Sequence, residues 1–291
     1  MNAAREIYNT LRWRLIPVRY AGKARRQFTA RPVPARFAQG AANDVAPRPE
    51  SIVLQRDGHA PGPTIDAASL AQMQAIYRPR AERVVPTSGT HPFTNLFTAD
   101  DFDPNNPVFR FALSPQVLDA AHDYLGGKFQ FDSIQVLYSW PTGGRLLESQ
   151  LWHKDYGDAT SFHCVAYLND VLTPADGPFV YVDRNDTKKI APSLLIRRID
   201  DETFANELGD GTIRTFTGKA GESVLVDPSV CYHYGSRCQT PRLALFATFS
   251  TDKPFVGPYP QITENATRGA AAARVVRPDL SPAYLNRIFG A

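Results

Sequence analysis

Gln150-Leu151-Trp152-His153-Lys154-Asp155 and Val230-Cys231-Tyr232-His233-Tyr234-Gly235 are the two stretches whose reading decides the fold. In a β-strand, residues i and i+2 point to one face. His153 and Asp155 therefore aim an imidazole and a carboxylate at the same point while Lys154 turns away. His233, arriving from a distant strand, completes a set of two histidines and one carboxylate on one side of a metal ion. Such a set leaves positions open opposite, which is the ligand geometry of non-haem Fe(II) oxygenases. Taken alone, His153 and Asp155 read rather as a surface histidine and an aspartate that ends a strand, and His233 as a core or turn histidine. The flanking sequence bears on that choice.

Outward from these stretches the chain runs in short apolar segments. Ser161-Phe162-His163-Cys164-Val165-Ala166-Tyr167-Leu168 follows Asp155, and Ala175-Asp176-Gly177-Pro178 turns into Phe179-Val180-Tyr181-Val182. Gly221-Glu222-Ser223-Val224-Leu225-Val226-Asp227 leads to His233, and Pro241-Arg242-Leu243-Ala244-Leu245-Phe246-Ala247-Thr248-Phe249 comes after it. Each has the length and the β-branched or aromatic content of a strand, with Gly, Pro, Asn or Asp in the gaps. Strands in this order, with helices mostly before them, predict a mainly β protein with flanking helices: a double-stranded β-helix (jelly roll) with an N-terminal helical buttress.

The series resembles the phytanoyl-CoA dioxygenase-like family of Fe(II)/2-oxoglutarate oxygenases. Its matching pieces are the Trp-His-x-Asp strand, the Asp-Gly-Pro turn before a strand, the Gly-x-x-Val-Leu-Val-Asp strand before His233, and the downstream Arg242. The likeness runs from roughly Ser114 to Phe249, about half of the chain. It implies Fe(II) held by His153, Asp155 and His233, with 2-oxoglutarate and O2 as cosubstrates and a small molecule as substrate. Arg242 is the residue for the far carboxylate of 2-oxoglutarate, because a guanidinium makes two parallel hydrogen bonds to a carboxylate; otherwise it is a surface-strand arginine. Arg237 is the second candidate for that role. Gln135 and Tyr138, read as sharing a face of the strand from Asp132 to Ser139, are further candidate cosubstrate contacts.

Departures from the family pattern matter as well. The serine of an Arg-x-Ser pair is replaced by Ala244, so another group must supply that hydrogen bond. Asp183-Arg184-Asn185-Asp186 stands where the family has Pro-Gly-Ser-His, which implies a substrate unlike the namesake's. Relatives that halogenate have a small residue in place of Asp155; its retention here implies hydroxylation, with desaturation or ring closure as other outcomes. Trp152 points away from the site and reads as core, while His163 is either cavity-lining or structural. Arg184, Lys188 and Lys189 suggest an anionic substrate linked to a carrier, lipid or sugar, or else a solvated loop. Two other classes stay open: a cupin-like metalloenzyme that does not use 2-oxoglutarate, which has no need of Arg242, and a catalytically silent binding jelly roll, which need not keep all three ligands.

Composition fits a single oxygenase domain over 1–291. Hydrophobic residues make up 43%, with 17 Phe and 12 Tyr, ample for a large core. A net charge of +3 gives no case for nucleic acid. Three cysteines without metal-finger spacing suggest a reduced, cytoplasmic setting. No apolar run approaches the roughly 20 residues of a membrane span, and Arg12, Arg14 and Arg19 interrupt any signal-peptide core. Four zones follow. Residues 1–45 form a basic arm, either a helix and strap packed on the barrel with solvated arginines or an amphipathic contact for an anionic membrane surface. Residues 46–130 form a helical support region, with helices expected from Ala67 and from Ser114-Pro115 and an ordered loop over Phe93 to Asn106. The jelly-roll core spans 131–252, interrupted by a helix over Ile199 to Leu208. The tail, 253–291, ends in a short helix around Ala283 to Ile288, and Ala270 to Ala273 reads as a low-complexity run.

Overall fold

The computed structural model describes residues 14–27, 33–38, 48–86 and 92–291. Nine strands are found among them, β1 (His59–Pro61), β2 (Phe93–Asn95), β3 (Phe129–Ser139), β4 (Ser161–Tyr167), β5 (Phe179–Val182), β6 (Ile213–Phe216), β7 (Ser223–Val226), β8 (His233–Tyr234) and β9 (Arg242–Thr251). They build a six-stranded sheet in the order β1-β7-β4-β9-β3-β2 and a three-stranded sheet in the order β6-β5-β8. Every pairing is antiparallel. The architecture is thus mainly antiparallel sheet with flanking helices.

The helices are α1 (Ile16–Gln27), α2 (Pro49–Asp57), α3 (Ala67–Glu82), α4 (Pro107–Ala112), α5 (Ala120–Leu125), α6 (Arg184–Thr187), α7 (Asp201–Leu208), α8 (Pro260–Glu264), α9 (Ala266–Val276) and α10 (Pro282–Phe289). Their starts follow local chemistry. Asp66, Asn106, Asp183, Asp200 and Ser281 each accept a backbone N–H from the first turn of the helix they precede. Ser114 opens its helix without such a bond; a π-turn over Pro115–Asp119 leads into α5, and Gly126 stops it at a left-handed φ of 68°. None of the helices among the described residues is long and apolar enough to cross a membrane.

One face of the six-stranded sheet carries the main core. Phe129, Phe131, Ile134, Val136, Phe162 and Phe249 bury there against Tyr77, Phe109, Tyr284 and Phe289 of the helices. Phe131 bridges the layers, with ring centroids 4.4 Å from Phe249 and 4.8 Å from Phe289. Phe129 and Phe131 share this face with Ile134 and Val136 although their numbers differ in parity. A β-bulge between Phe131 and Ser133 supplies the extra residue, Asp132, that makes this possible.

Three expectations need correction. Two strands, β1 and β2, lie in the region read as helical or loop. Each is three residues long and edges the sheet, too short to show an alternation. The Ala270–Ala273 run is part of α9, with Ala270, Ala272 and Ala273 buried where the helix packs on α10 and small side chains let the two approach. Of the basic arm, much lies outside the described residues. What is described packs on the body, but its cations are not simply solvated. Lys23 pairs with the buried Asp158, Arg19 donates to the Tyr156 carbonyl, and Arg36 pairs with Asp119 at 2.6 Å.

Candidate metal centre

His153 and Asp155 lie on an extended segment that pairs with β8, the edge of the three-stranded sheet, and His233 opens β8. The segment is held to β8 by reciprocal backbone bonds, His153 N–H to the His233 carbonyl at 3.0 Å and His233 N–H to the His153 carbonyl at 2.8 Å. Asp155 N–H then donates to the Pro228 carbonyl at 2.9 Å. The position of Pro228 is fixed in turn by Asp227. That carboxylate is fully buried and accepts from Ser229 N–H at 2.8 Å, Ser161 N–H at 3.2 Å and the Tyr124 hydroxyl at 2.7 Å. Burial pushes the Asp227 carboxyl up to about 6 against the pull of those donors. Trp152 faces the other way, stacked on Phe204 at 3.9 Å.

These contacts bring the three side chains together. One ligand atom from each of His153, Asp155 and His233 lies within 4.8 Å of the others. Nε2 of His153 is 3.5 Å and Nε2 of His233 is 3.8 Å from the Asp155 carboxylate. Nδ1 of His153 lies 2.8 Å from the Leu151 carbonyl, and Nδ1 of His233 lies 3.1 Å from the Cys231 carbonyl. A carbonyl only accepts, so each ring carries its proton on Nδ1 and presents a bare Nε2 lone pair to the common point. Burial and the neighbouring His233 lower His153 to about 3, and burial lowers His233. Burial alone would raise Asp155, but His233, His153, His163 and Arg198 outweigh it and leave the carboxyl lowered. Two neutral imidazoles and an ionised carboxylate are the donor set a divalent first-row metal takes.

The triad lines a cavity of about 600 Å³. Arg242 lies in its wall, 2 % exposed, on β9. Its guanidinium donates to the Gly177 carbonyl and to the Ser236 hydroxyl at 2.8 Å, and its Nε has no partner. No acid pairs with it among the described residues, and a buried cation without a counter-ion is costly unless an anion joins it. Arg237 is engaged elsewhere. It grips Asp201 through two bonds of 2.8 Å and lies over the Tyr234 ring at 3.5 Å.

Gln135 also lines the cavity, but Tyr138 does not; it leans on the helical core. Residues three apart in a strand occupy opposite faces, so these two do not share one. His163 is a wall residue, lowered to about 4 by burial despite Asp155. Arg184 donates to the Tyr124 hydroxyl, Lys188 to Asn185, and Lys189 reaches Asp186 and Asp210. None of the three lines the cavity, so they give no argument for an anionic substrate. Sequence reasoning missed Asp132, Arg198, Ser236 and Tyr259, all in the wall. Only Asp132 had a signal, the change of apolar phase across residues 129–136.

No protein-family model and no curated protein matches the chain. Solved structures do. EctD from S. alaskensis with 2-oxoglutarate and 5-hydroxyectoine aligns with a TM-score of 0.52 at 20% identity, covering 79% of this chain and 86% of that one. The same protein with bound Fe gives 0.50 at 21%, covering 79% and 86%. The epimerase SnoN, in complex with Fe3+, alpha ketoglutarate and nogalamycin RO, gives 0.50 at 16%, covering 69% and 82%. At these identities the likeness is one of fold.

Proposed function

We propose that this chain is an Fe(II)/2-oxoglutarate-dependent oxygenase acting on a small molecule, and that its two sheets form a double-stranded β-helix of the phytanoyl-CoA dioxygenase-like kind. The observation that carries the reading is a pairing within one cavity. The His153/Asp155/His233 donors converge there, and Arg242, buried and without an acidic partner among the described residues, stands in the same wall. The fold neighbours named above carry iron and 2-oxoglutarate in their own structures, which supports the same assignment here.

His153, Asp155 and His233 would hold the iron, with the Leu151 and Cys231 carbonyls fixing the two rings. Arg242 would receive the distal carboxylate of 2-oxoglutarate, and its free Nε marks unused donor capacity. The Ser236 hydroxyl, bonded to Arg242 and lining the cavity, would supply the second contact that Ala244 lacks. When bound, iron and 2-oxoglutarate supply an oxidative decarboxylation by O2 that yields succinate and CO2 and delivers one oxygen atom to the substrate. The protein orients the reactants and keeps the imidazoles neutral. Retention of Asp155 favours hydroxylation over halogenation, since no ligand position is vacated for a halide. A cupin without 2-oxoglutarate leaves Arg242 unexplained, and a silent binding module leaves the triad unexplained.

Oxygen-dependent release of succinate from 2-oxoglutarate tests the reading. Slow succinate formation is expected from the iron-loaded wild type even without substrate. Its absence at saturating 2-oxoglutarate, in protein that demonstrably binds iron, would contradict the assignment.

A further inference from the structure

Asp132 is a second ionisable side chain in the same cavity with no ion-pair partner among the described residues, and its charged form has the sign opposite to that of Arg242. It is the additional residue of the bulge in β3, between Phe131 paired with Phe249 and Ser133 paired with Thr248. A regular strand would turn every second residue into the core; the bulge instead directs both Asp132 and Ser133 into the cavity wall. Asp132 makes no ion pair among the described residues, and the nearby Thr248 hydroxyl is engaged by Ser133 through its N–H, hydroxyl and carbonyl. Lys23 is taken by Asp158 and Thr251. Burial pushes the Asp132 carboxyl up to about 7, and Asp155 and Asp158 add to the effect. A carboxylate placed in this way is uncomfortable until a cation reaches it.

Its surroundings suit such a cation. Tyr259 donates its backbone N–H to the Asp132 carbonyl at 3.0 Å, and its half-exposed ring borders the same cavity. The Tyr259 phenol is raised from its ordinary value, first by burial and then by the charges of Asp132 and Asp155. An aromatic face beside a carboxylate is a favourable seat for an ammonium, amidinium or guanidinium group. Phe93, Val256, Pro258 and Pro260 complete an apolar rim for the rest of the molecule. Arg242 pairs with Ser139 and so stands seven residues along β3 from Asp132, about 20 Å at the rise of a strand. The anion-seeking and cation-seeking ends of the cavity are therefore far apart.

We propose that the substrate carries a basic nitrogen, and that Asp132, with Tyr259 in the same wall, is the residue that selects for it. This rests on the oxygenase reading above, with 2-oxoglutarate at the Arg242 end and the substrate at the Asp132 end. The bulge is then a specificity device. It places one charge where the cosubstrate's own anion does not reach, so the two carboxylates do not compete for the same partner.

Benzamidine, benzamide and benzoate are nearly isosteric and differ in charge, so they serve as the probes. Their dissociation constants are measured by NMR titration on the anaerobic protein in saturating iron and 2-oxoglutarate, so that Arg242 is not free to take benzoate. Wild type should bind benzamidine at least about ten-fold tighter than either partner, as expected for a charge-assisted contact in a partly buried site. Asp132→Asn and Asp132→Ser should bring the three within about two-fold of one another, with melting temperature and 2-oxoglutarate affinity retained. Two variants guard against one failing to fold. Equal binding of the three probes, no measurable binding of any, a preference for benzoate, or a benzamidine preference that survives both substitutions would each overturn the proposal. A benzamidine preference abolished by the variants, in a protein that does not bind 2-oxoglutarate, would uphold the cation site and overturn the oxygenase reading on which its role as a substrate selector depends.

Discussion

The two faces of the six-stranded sheet are built from the same strands and have opposite character. On one face Phe131, Ile134, Phe162 and Phe249 interlock with the helices, without a charge among them. On the other, Ser133, Gln135, His163, Arg242 and Thr248 look into the cavity, and Arg242 keeps an unsatisfied Nε. The difference teaches where folding and function part. The helical face is filled by its own apolar side chains, while the cavity face carries polar and charged groups that a metal, an anion and a substrate would engage. Substitutions on the two faces should therefore separate stability from binding.

The largest effect is expected at the triad. His153→Ala, Asp155→Ala and His233→Ala should each weaken Fe(II) binding by more than about a hundred-fold, because two remaining ligands hold a divalent ion poorly. Titration calorimetry under anaerobic conditions checks this, and full iron occupancy in all three variants would break the comparison at its root. Next comes Phe131→Ala on the helical face. It should cost about 3–5 kcal/mol of folding stability by denaturant titration, as for other large core truncations, while the folded fraction keeps its iron affinity. A loss well below that range would mean the face is not closely packed.

Arg242→Ala should act the other way round. The affinity for 2-oxoglutarate should fall by tens to thousands of fold, about 2–5 kcal/mol for one side of a buried charged pair. Thermal stability should hold or rise, since an unpaired buried cation is removed. Arg237→Ala is the control, its guanidinium being occupied by Asp201. If Arg237→Ala gives the affinity loss and Arg242→Ala does not, the wrong arginine has been assigned.

The smallest effect concerns pH. His59, His122, His153, His163 and His233 are all lowered in the fold from their ordinary value, first of all by burial. The unfolded chain then binds more protons below about pH 6.5, so their contribution is present above that pH and lost as pH falls toward the folded values. Asp132 and Asp227 are raised and work in the opposite sense, losing stability as pH rises toward about 7 and about 6. Five histidines against two carboxyls leave a net loss on acidification, on the order of 1 kcal/mol between pH 7 and 5 once the half-buried His59 and His122 are discounted for solvent screening. Melting curves of the metal-free protein should shift downward over that interval; an upward shift would show that the two carboxyls dominate.

The legible part of the site was the part written in strand periodicity. His153 and Asp155 are two apart and His233 ends an apolar run, and the structure does bring their ligand atoms together. Arg242, Phe246 and Thr248 alternate along β9 and all reach the cavity. Where strict alternation fails, reading it from sequence fails too. Tyr138, three residues from Gln135, was placed on the wrong face, and Asp132 was hidden by the bulge that directs it inward. The short strands β1 and β2 could not be read because three residues carry no period, and their partners lie far away in the chain. Ser236, which bonds to Arg242, sits at φ 60°, a left-handed turn that a serine seldom signals.

The most direct test of the central claim is the visible spectrum of the anaerobic ferrous protein during titration with 2-oxoglutarate. A 2-oxoglutarate that chelates iron through its keto acid end gives a metal-to-ligand charge-transfer band, which requires both the triad and room beside it. The expected result is a saturable band in the wild type, absent in the triad variants and shifted to much higher 2-oxoglutarate concentration in Arg242→Ala. Iron-loaded wild type that stays colourless at saturating 2-oxoglutarate would contradict the account.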